Sequence, residues 1–297
     1  MGAINLYDLN AVGFGAAGKI GQIVEQSLEP GVMPSAIGSD GQYDNEFVAI
    51  LQKSPAFGFT TQQIGAALTL AGIDGVSLAT SNVTLWLRRR AVGGLKASGA
   101  VNIKAVGSAG ILYPTGLRAS LFQPATLSYR AVMIDAAAAG TSGLAITASQ
   151  ADPAYDVTQE LYTVGTFTFN ATPVDGVQSV EIDFGIEVYT AGQDGLVFPT
   201  FVSIVRRRPV VRLTVADPAV QATISEGGTA IGTTAVVNLR GVTNKGIPGA
   251  TGHGFTINDG VGYLSGIRGG DGSEQVSEVT IVPNYDGTNA PIAVASY

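Results

Sequence analysis

Eighteen residues, Gly38 to Pro55 (GSDGQYDNEFVAILQKSP), return without a gap as Gly192 to Pro209 (GQDGLVFPTFVSIVRRRP). The offset of 154 residues aligns Gly38 with Gly192, Asp40 with Asp194, Gly41 with Gly195, Phe47 with Phe201, Val48 with Val202, Ile50 with Ile204 and Pro55 with Pro209. Gly116-Leu117-Arg118 then answers Gly266-Ile267-Arg268 at an offset of 150. Gly140-Thr141 with Ala148-Ser149 answers Gly287-Thr288 with Ala295-Ser296 at 147. A duplication with deletions in its second copy leaves an offset that shrinks in steps, and such self-similarity outranks local motifs in deciding architecture. The expected organisation is an N-terminal arm (1–11), a first β domain (12–149), a linker (150–163, QADPAYDVTQELYT) and a second β domain (164–297) that repeats the first.

The texture of both copies is β. NVTLWLRR, ATLSYRAVMI, TFTFNA, SVEIDFGIEVYT and SEVTIVP are short runs rich in Val, Ile, Thr and aromatics, and many alternate apolar with polar residues. Forty glycines and thirteen prolines punctuate them, so the expected fold class is all-β with minor α: tandem sandwich or barrel domains. One short helix is expected per copy. After Pro55, Thr61 is the expected cap, Ile64, Leu68 and Ala71 the apolar stripe, and Gly72 the stop. After Pro209, Asp217 caps, Pro218 occupies the first turn and Gly227 stops. Lys19 to Glu29 is a weaker helix candidate, interrupted by Gly21. Phe47, Phe201, Pro55 and Pro209 are expected in the cores of their copies.

Charged residues make up only 13% of the chain, about half the usual share, and mean hydropathy is +0.29. No apolar run reaches the roughly 18 residues a membrane helix requires, so the uncharged surface points to protein–protein contact and self-assembly. Zero cysteines exclude disulfides and thiolate chemistry. MGAINLYDLNAV lacks the basic start and apolar core of a secretory signal, which implies synthesis in a cytoplasm. Residues 1–149 hold 9 basic and 8 acidic residues, and residues 150–297 hold 7 and 15, so the −7 net charge resides in the second copy. That balance gives no basic footprint for gripping nucleic acid.

The chemistry-bearing motifs have plain structural readings. GFGAAGKI (Gly13–Ile20) matches the phosphate-loop pattern until Ile20 stands where a Mg²⁺-binding hydroxyl belongs. It also lacks the α/β context, so it reads as a flexible glycine-rich lead-in. Asp40, Asp44, Asn45 and Glu46 could ligate calcium, but only Asp194 recurs, and the shared G-x-D-G describes a tight turn. His253, the one histidine, has no nucleophile signature beside it and reads as a solvated or hydrogen-bonded bystander. Arg88–Arg90 and Arg206–Arg208 are the basic clusters; they suit an interface, plain solvation or phosphate contact. No catalytic, cofactor or metal residues are expected.

The FV[AS]I strand, leading through Pro55 or Pro209 into a single short helix within a strand-rich domain of low charge, resembles the tail tube (major tail) proteins of long-tailed bacteriophages. By extension it resembles the tubes of contractile tails and type VI secretion. The resemblance covers both copies and implies a β-sandwich with a helix whose rings stack into a hollow tube, inner strands joined edge to edge around the lumen. Most members carry one domain and form hexamers, so a two-domain chain implies trimers with six pseudo-equivalent positions. It further implies a virion tail assembled in the host cytoplasm, self-contact, tape-measure and terminator partners, and duplex DNA passing without specific binding. The alternatives are a capsid decoration protein, a tandem adhesin, or a carbohydrate-binding or hydrolytic β protein. DNA carries about one charge per 1.7 Å, so a conducting wall should be neutral or acidic. Glu181, Asp183 and Glu187 in SVEIDFGIEV are the expected lumen-facing carboxylates, with Val180, Ile182, Phe184 and Ile186 towards the core. Arg206, Arg207 and Arg208 are the expected interface cations.

Overall fold

A computed structural model describes residues 6–15, 18–38, 40, 44, 46–90, 99–135, 140, 142–151, 160–193, 195–217, 220–243, 248–269 and 275–297. It is mostly strand, with two short helices. The first half runs β1 (Leu6–Phe14), β2 (Gly18–Ile20), β3 (Ile23–Glu29), β4 (Val32–Ile37), β5 (Phe47–Lys53), β6 (Ala56–Thr61), α1 (Ile64–Leu70), β7 (Val76–Ser77), β8 (Val83–Arg90), β9 (Asn102–Gly107), β10 (Gly110–Ser120), β11 (Thr126–Met133) and β12 (Leu144–Gln150). The second runs β13 (Tyr162–Phe169), β14 (Thr172–Val174), β15 (Val177–Asp183), β16 (Ile186–Ala191), β17 (Phe201–Arg207), β18 (Val210–Val215), α2 (Val220–Thr223), β19 (Thr229–Ala230), β20 (Ala235–Val242), β21 (Pro248–Ile257), β22 (Gly260–Arg268), β23 (Val276–Pro283) and β24 (Ala293–Ser296).

Two five-stranded sheets have the orders β12-β9-β8-β1-β2 and β24-β21-β20-β13-β14. A ten-stranded sheet runs β19-β22-β23-β18-β15-β10-β11-β6-β3, with β7 also on β10. Subtracting twelve from each label of the second half makes the five-stranded sheets identical in order. The long sheet then becomes two like runs, joined where β10 meets β15. Irregularities recur too. Register slips occur at Ile23/Glu25 and Val177/Ser179, at Met33/Pro34 and Glu187/Val188, and at Pro114/Gly116 and Leu264/Gly266. Each such bulge bends its strand locally.

Both hairpins that leave the long sheet begin at a glycine with positive φ, Gly31 (+61°) and Gly185 (+54°). A Cβ on either would lie 2.0 Å from the carbonyl oxygen of Ser54 or Arg208, so no side chain fits there. The hairpins β4–β5 and β16–β17 are separate two-stranded sheets. The five-stranded sheets share one core with the long sheet: Val12, Phe14 and Leu85 with Phe57, Leu117 and Leu127 in the first half, and Phe167, Val237 and Phe255 with Ile182, Leu213 and Ile281 in the second.

Helix α1 starts at Ile64, after Gln63 and without a side-chain cap. Thr61 instead accepts the Gln63 N–H (3.0 Å) and donates to the Gly21 carbonyl (2.7 Å). The Glu160 carboxylate accepts the Gly65 and Ala66 N–H groups at 2.7 and 3.3 Å, the favourable end of the helix for a negative charge. The stop at Gly72 is as expected: φ is +60°, its N–H reaches the Leu68 carbonyl, and the buried Tyr129 hydroxyl donates to its carbonyl at 2.9 Å. Helix α2 is a single turn ending at Thr223, four residues short of Gly227; Ser225 to Gly228 form a separate turn.

Two expectations for the N-terminal segment are overturned. Residues 6–11 are no arm: β1 lies between β8 and β2, and Leu9 and Ala11 are buried. Lys19 to Glu29 is strand because Gln22, at φ +49°, turns the chain between β2 and β3. Most of the expected linker (152–159) lies outside the described residues; β12 ends at Gln150 and β13 begins at Tyr162.

Candidate interface: a polar sheet face and two open edges

Strand alternation gives the long sheet one apolar face and one polar face. The polar face carries Ser27, Gly58 and Thr60, Thr126 and Ser128, Gly116 and Ser120, Ser179, Thr214 and Thr280. Short hydroxyls bond one another across strands, Thr60 to Ser128 at 2.9 Å and Thr280 to Ser265 at 3.0 Å. Every arginine here faces a carboxylate: Arg118 reaches Glu181 at 2.9 Å, Arg212 the same Glu181 at 4.0 Å, Arg130 Glu29 at 3.1 Å and Arg268 Glu278 at 2.9 Å. Such exposed pairs contribute about 0–1 kcal/mol each to stability. Their larger effect is to cancel fixed positive charge along the face.

Glu181 and Asp183 lie on this face, alternating with buried Val180, Ile182 and Phe184. Asp183 accepts the Gly185 N–H at 2.9 Å. Glu187 does not share their strand. The turn at Gly185 sends it into the β16–β17 hairpin, where it faces Arg206 at 3.6 Å. The sequence run SVEIDFGIEV is therefore two strands, because a glycine with positive φ interrupts the alternation.

The long sheet ends in two unequal edges and one internal joint. At the joint β10 pairs β15, setting Gly116 opposite Asp183, Leu117 opposite Ile182 and Arg118 opposite Glu181. The positions corresponding to β10 and β15 in the other half are β22 and β3; β3 ends the sheet, and β22 pairs on that side only with the two-residue β19 at Val261–Gly262, leaving Gly266–Arg268 without a strand there among the described residues. Leu117 is fully buried at the joint, whereas its counterpart Ile267 is 46% exposed. Ile182 is fully buried, whereas its counterpart Leu28 is only partly covered, and Val24 on the same open strand is 48% exposed. Open apolar edges of this kind are templates for pairing with another strand.

The hairpins correct another expectation. Phe47 and Phe201 are 60% and 52% exposed, because β4–β5 and β16–β17 project as ribbons and no sheet lies beneath those rings. Pro55 and Pro209, at the hairpin bases, are buried as expected. Met33, Ile37, Val48, Ile50, Leu51, Tyr189 and Val205 add exposed apolar surface to the same ribbons. Of the expected interface cations, Arg207 bridges the two halves, donating to the Asp74 carboxylate at 2.5 Å and carbonyl at 2.6 Å. Arg206 stays within its hairpin and Arg208 is exposed at its base.

Within GFGAAGKI, residues 16–17 lie outside the described residues and the flanking residues pair as strands, Val12 opposite Ile20 and Phe14 opposite Gly18, where a loose lead-in was expected. The acidic loop falls largely outside the described residues, and among those described no cluster of three His, Cys, Asp or Glu could hold a metal. His253 is buried on β21, its Nε2 3.2 Å from the Tyr162 hydroxyl and its Nδ1 3.2 Å from the Ser296 hydroxyl. Burial pushes its pKa below the usual value, and the Glu160 charge opposes that shift. Arg90 pairs with Asp8 across β1 and β8. Among the described residues no helix is long and apolar enough to cross a membrane.

The polar face was readable in principle from the alternation of Thr126, Ser128 and Arg130 with Leu127, Tyr129 and Ala131 in TLSYRAVM; the open edges required knowing strand order. No protein-family model matches this chain, and no curated protein matches it.

Proposed function

We propose that the chain is a tandem duplication of one β domain and the building block of a hollow tube, a bacteriophage tail-tube protein whose role is structural and not catalytic. The observation that carries this reading is the pairing of β10 with β15 inside the chain, while β3 and the equivalent stretch of β22, Gly266–Arg268 beyond the short β19, pair with no further strand among the described residues. Repeating the same joint between chains pairs β22 of one molecule with β3 of the next, Ile267 opposite Leu28 and Arg268 opposite Ser27. The contact is heterologous, and a constant rotation at each joint closes it into a ring.

Each chain then supplies eight strands to a continuous barrel. With about 4.8 Å between strands and a tilt of about 40°, three chains give a backbone diameter of about 48 Å. Side chains of about 5 Å on each side leave a bore of about 38 Å, which clears a duplex about 20 Å wide; two chains would leave only about 22 Å. The polar face becomes the bore. Its hydroxyls and neutralised arginines suit a wall along which DNA slides, since each unpaired cation would hold a phosphate.

Native mass measurement over a concentration series tests the reading. Trimers and multiples of three are expected, with stacked tubes under crowding. A monodisperse monomer at high concentration, or one closed oligomer that never stacks, would leave a decoration protein or an adhesin as the better description.

A further inference from the structure

We infer that the β4–β5 hairpin of each chain clasps the second half of the neighbouring chain, seating Ile50 over Gly228 beside Val261 and pairing Lys53 with Glu226. This rests on the ring reading above and adds a second contact to each joint.

The template is the clasp already present inside the chain. There β16–β17 lies on the first half, and Ile204 Cδ1 comes within 3.0 Å of the place a Cβ on Gly75 would occupy, next to Ile111. Three residues on from Ile204, Arg207 holds the Asp74 carboxylate and carbonyl. The corresponding positions are found from geometry. Gly75 and Gly228 have φ of +90° and +92° at the turns before β7 and β19. β7 pairs Val76 with Leu112 and Ser77 with Ile111; β19 pairs Thr229 with Gly262 and Ala230 with Val261. Ile111 therefore maps to Val261, Ile204 to Ile50 and Arg207 to Lys53.

Ile50 and Val261 are 45% and 40% exposed, whereas Ile204 and Ile111, which already have a clasp, are partly covered. The charge pattern persists although the residues differ. The cation changes from Arg207 to Lys53, and the acid moves from Asp74 to Glu226, one residue before the Asp74 counterpart Gly227, on a side chain one methylene longer. Among the described residues neither Lys53 nor Glu226 has an ionic partner; the Lys53 ammonium lies over the Phe198 ring, 5.6 Å from its centroid. Gly228 stays glycine, as Gly75 does, where an apolar hairpin residue must approach the backbone.

The cysteine-free chain allows a clean test. Single variants Lys53→Cys and Glu226→Cys, mixed and treated with a short bismaleimide, should yield inter-chain dimers. The double variant should yield closed covalent trimers. A control mixture of Ser27→Cys and Arg268→Cys reports the β3–β22 edge separately. Cross-linking of the control without the Lys53/Glu226 pair would overturn the clasp while leaving the ring intact. No cross-linking of either pair, with a monomeric mass, would overturn both. As a second readout, Lys53→Glu and Glu226→Lys should each weaken assembly about tenfold and recover together, because opposite charges in register restore the attraction. Independent effects that do not recover would also overturn the pairing.

Discussion

Truncating Ile267 to alanine separates folding from assembly. In one chain Ile267 is 46% exposed, so the fold gains little from it, whereas its counterpart Leu117 is fully buried at the β10–β15 joint. Complete burial of an isoleucine side chain is worth about 1.5–3 kcal/mol, so covering the exposed half contributes about 1 kcal/mol per joint. Three joints per ring give about 3 kcal/mol, or about 150-fold in the monomer–trimer equilibrium. The same substitution should alter monomer stability by less than about 0.5 kcal/mol. Leu117→Ala should instead destabilise the fold by about 2–5 kcal/mol. Sedimentation equilibrium measures the first effect, and urea denaturation of dilute protein the second. An Ile267→Ala protein that assembles as the parent does, or unfolds as readily as Leu117→Ala, would refute the equivalence of the two edges.

Three other substitutions follow from the same geometry. Gly185→Ala places a Cβ 2.0 Å from the Arg208 carbonyl oxygen at positive φ; it should destabilise the β16–β17 hairpin by roughly 1–3 kcal/mol, seen as faster amide exchange in 186–207. His253 has a folded pKa below its unfolded value of about 6.5; its contribution is present above that pH and is lost as pH falls through it, until the folded pKa is passed. Melting temperature should fall between pH 7 and 5.5, and His253→Gln should flatten that decline. Glu181→Gln removes the one carboxylate facing both Arg118 and Arg212; assembled variant protein should retain duplex DNA at low salt, with a log–log salt slope of about −0.9 per phosphate engaged, where the parent retains none.

The alternation of Val180, Ile182 and Phe184 with Glu181 and Asp183 identified a half-buried strand directly, because burial on one face imposes a period of two. The apolar runs FVAIL and FVSIV misled, because β4–β5 and β16–β17 are two-stranded sheets of their own in which the Phe47 and Phe201 rings stay exposed. Glu187 was misplaced because Gly185 reads as one more small residue, and its positive φ emerges only with the Arg208 carbonyl packed against it. Lys19 to Glu29 suggested a helix although Gly21 weakened it: the positive φ falls on Gln22, a residue that does not mark a turn in the sequence. The open edges were not legible. Leu117 and Ile267 are near-identical residues in matching motifs, and strand order alone separates the buried one from the exposed one.

Averaged end-on images of the assembled protein test the central claim most directly. A closed ring of three chains should show six similar lobes around a bore of about 38 Å, with β22 of each chain paired to β3 of the next and the Ser/Thr face turned inward. Monomers with both edges free, or a closed oligomer with that face turned outward and no bore, would contradict it.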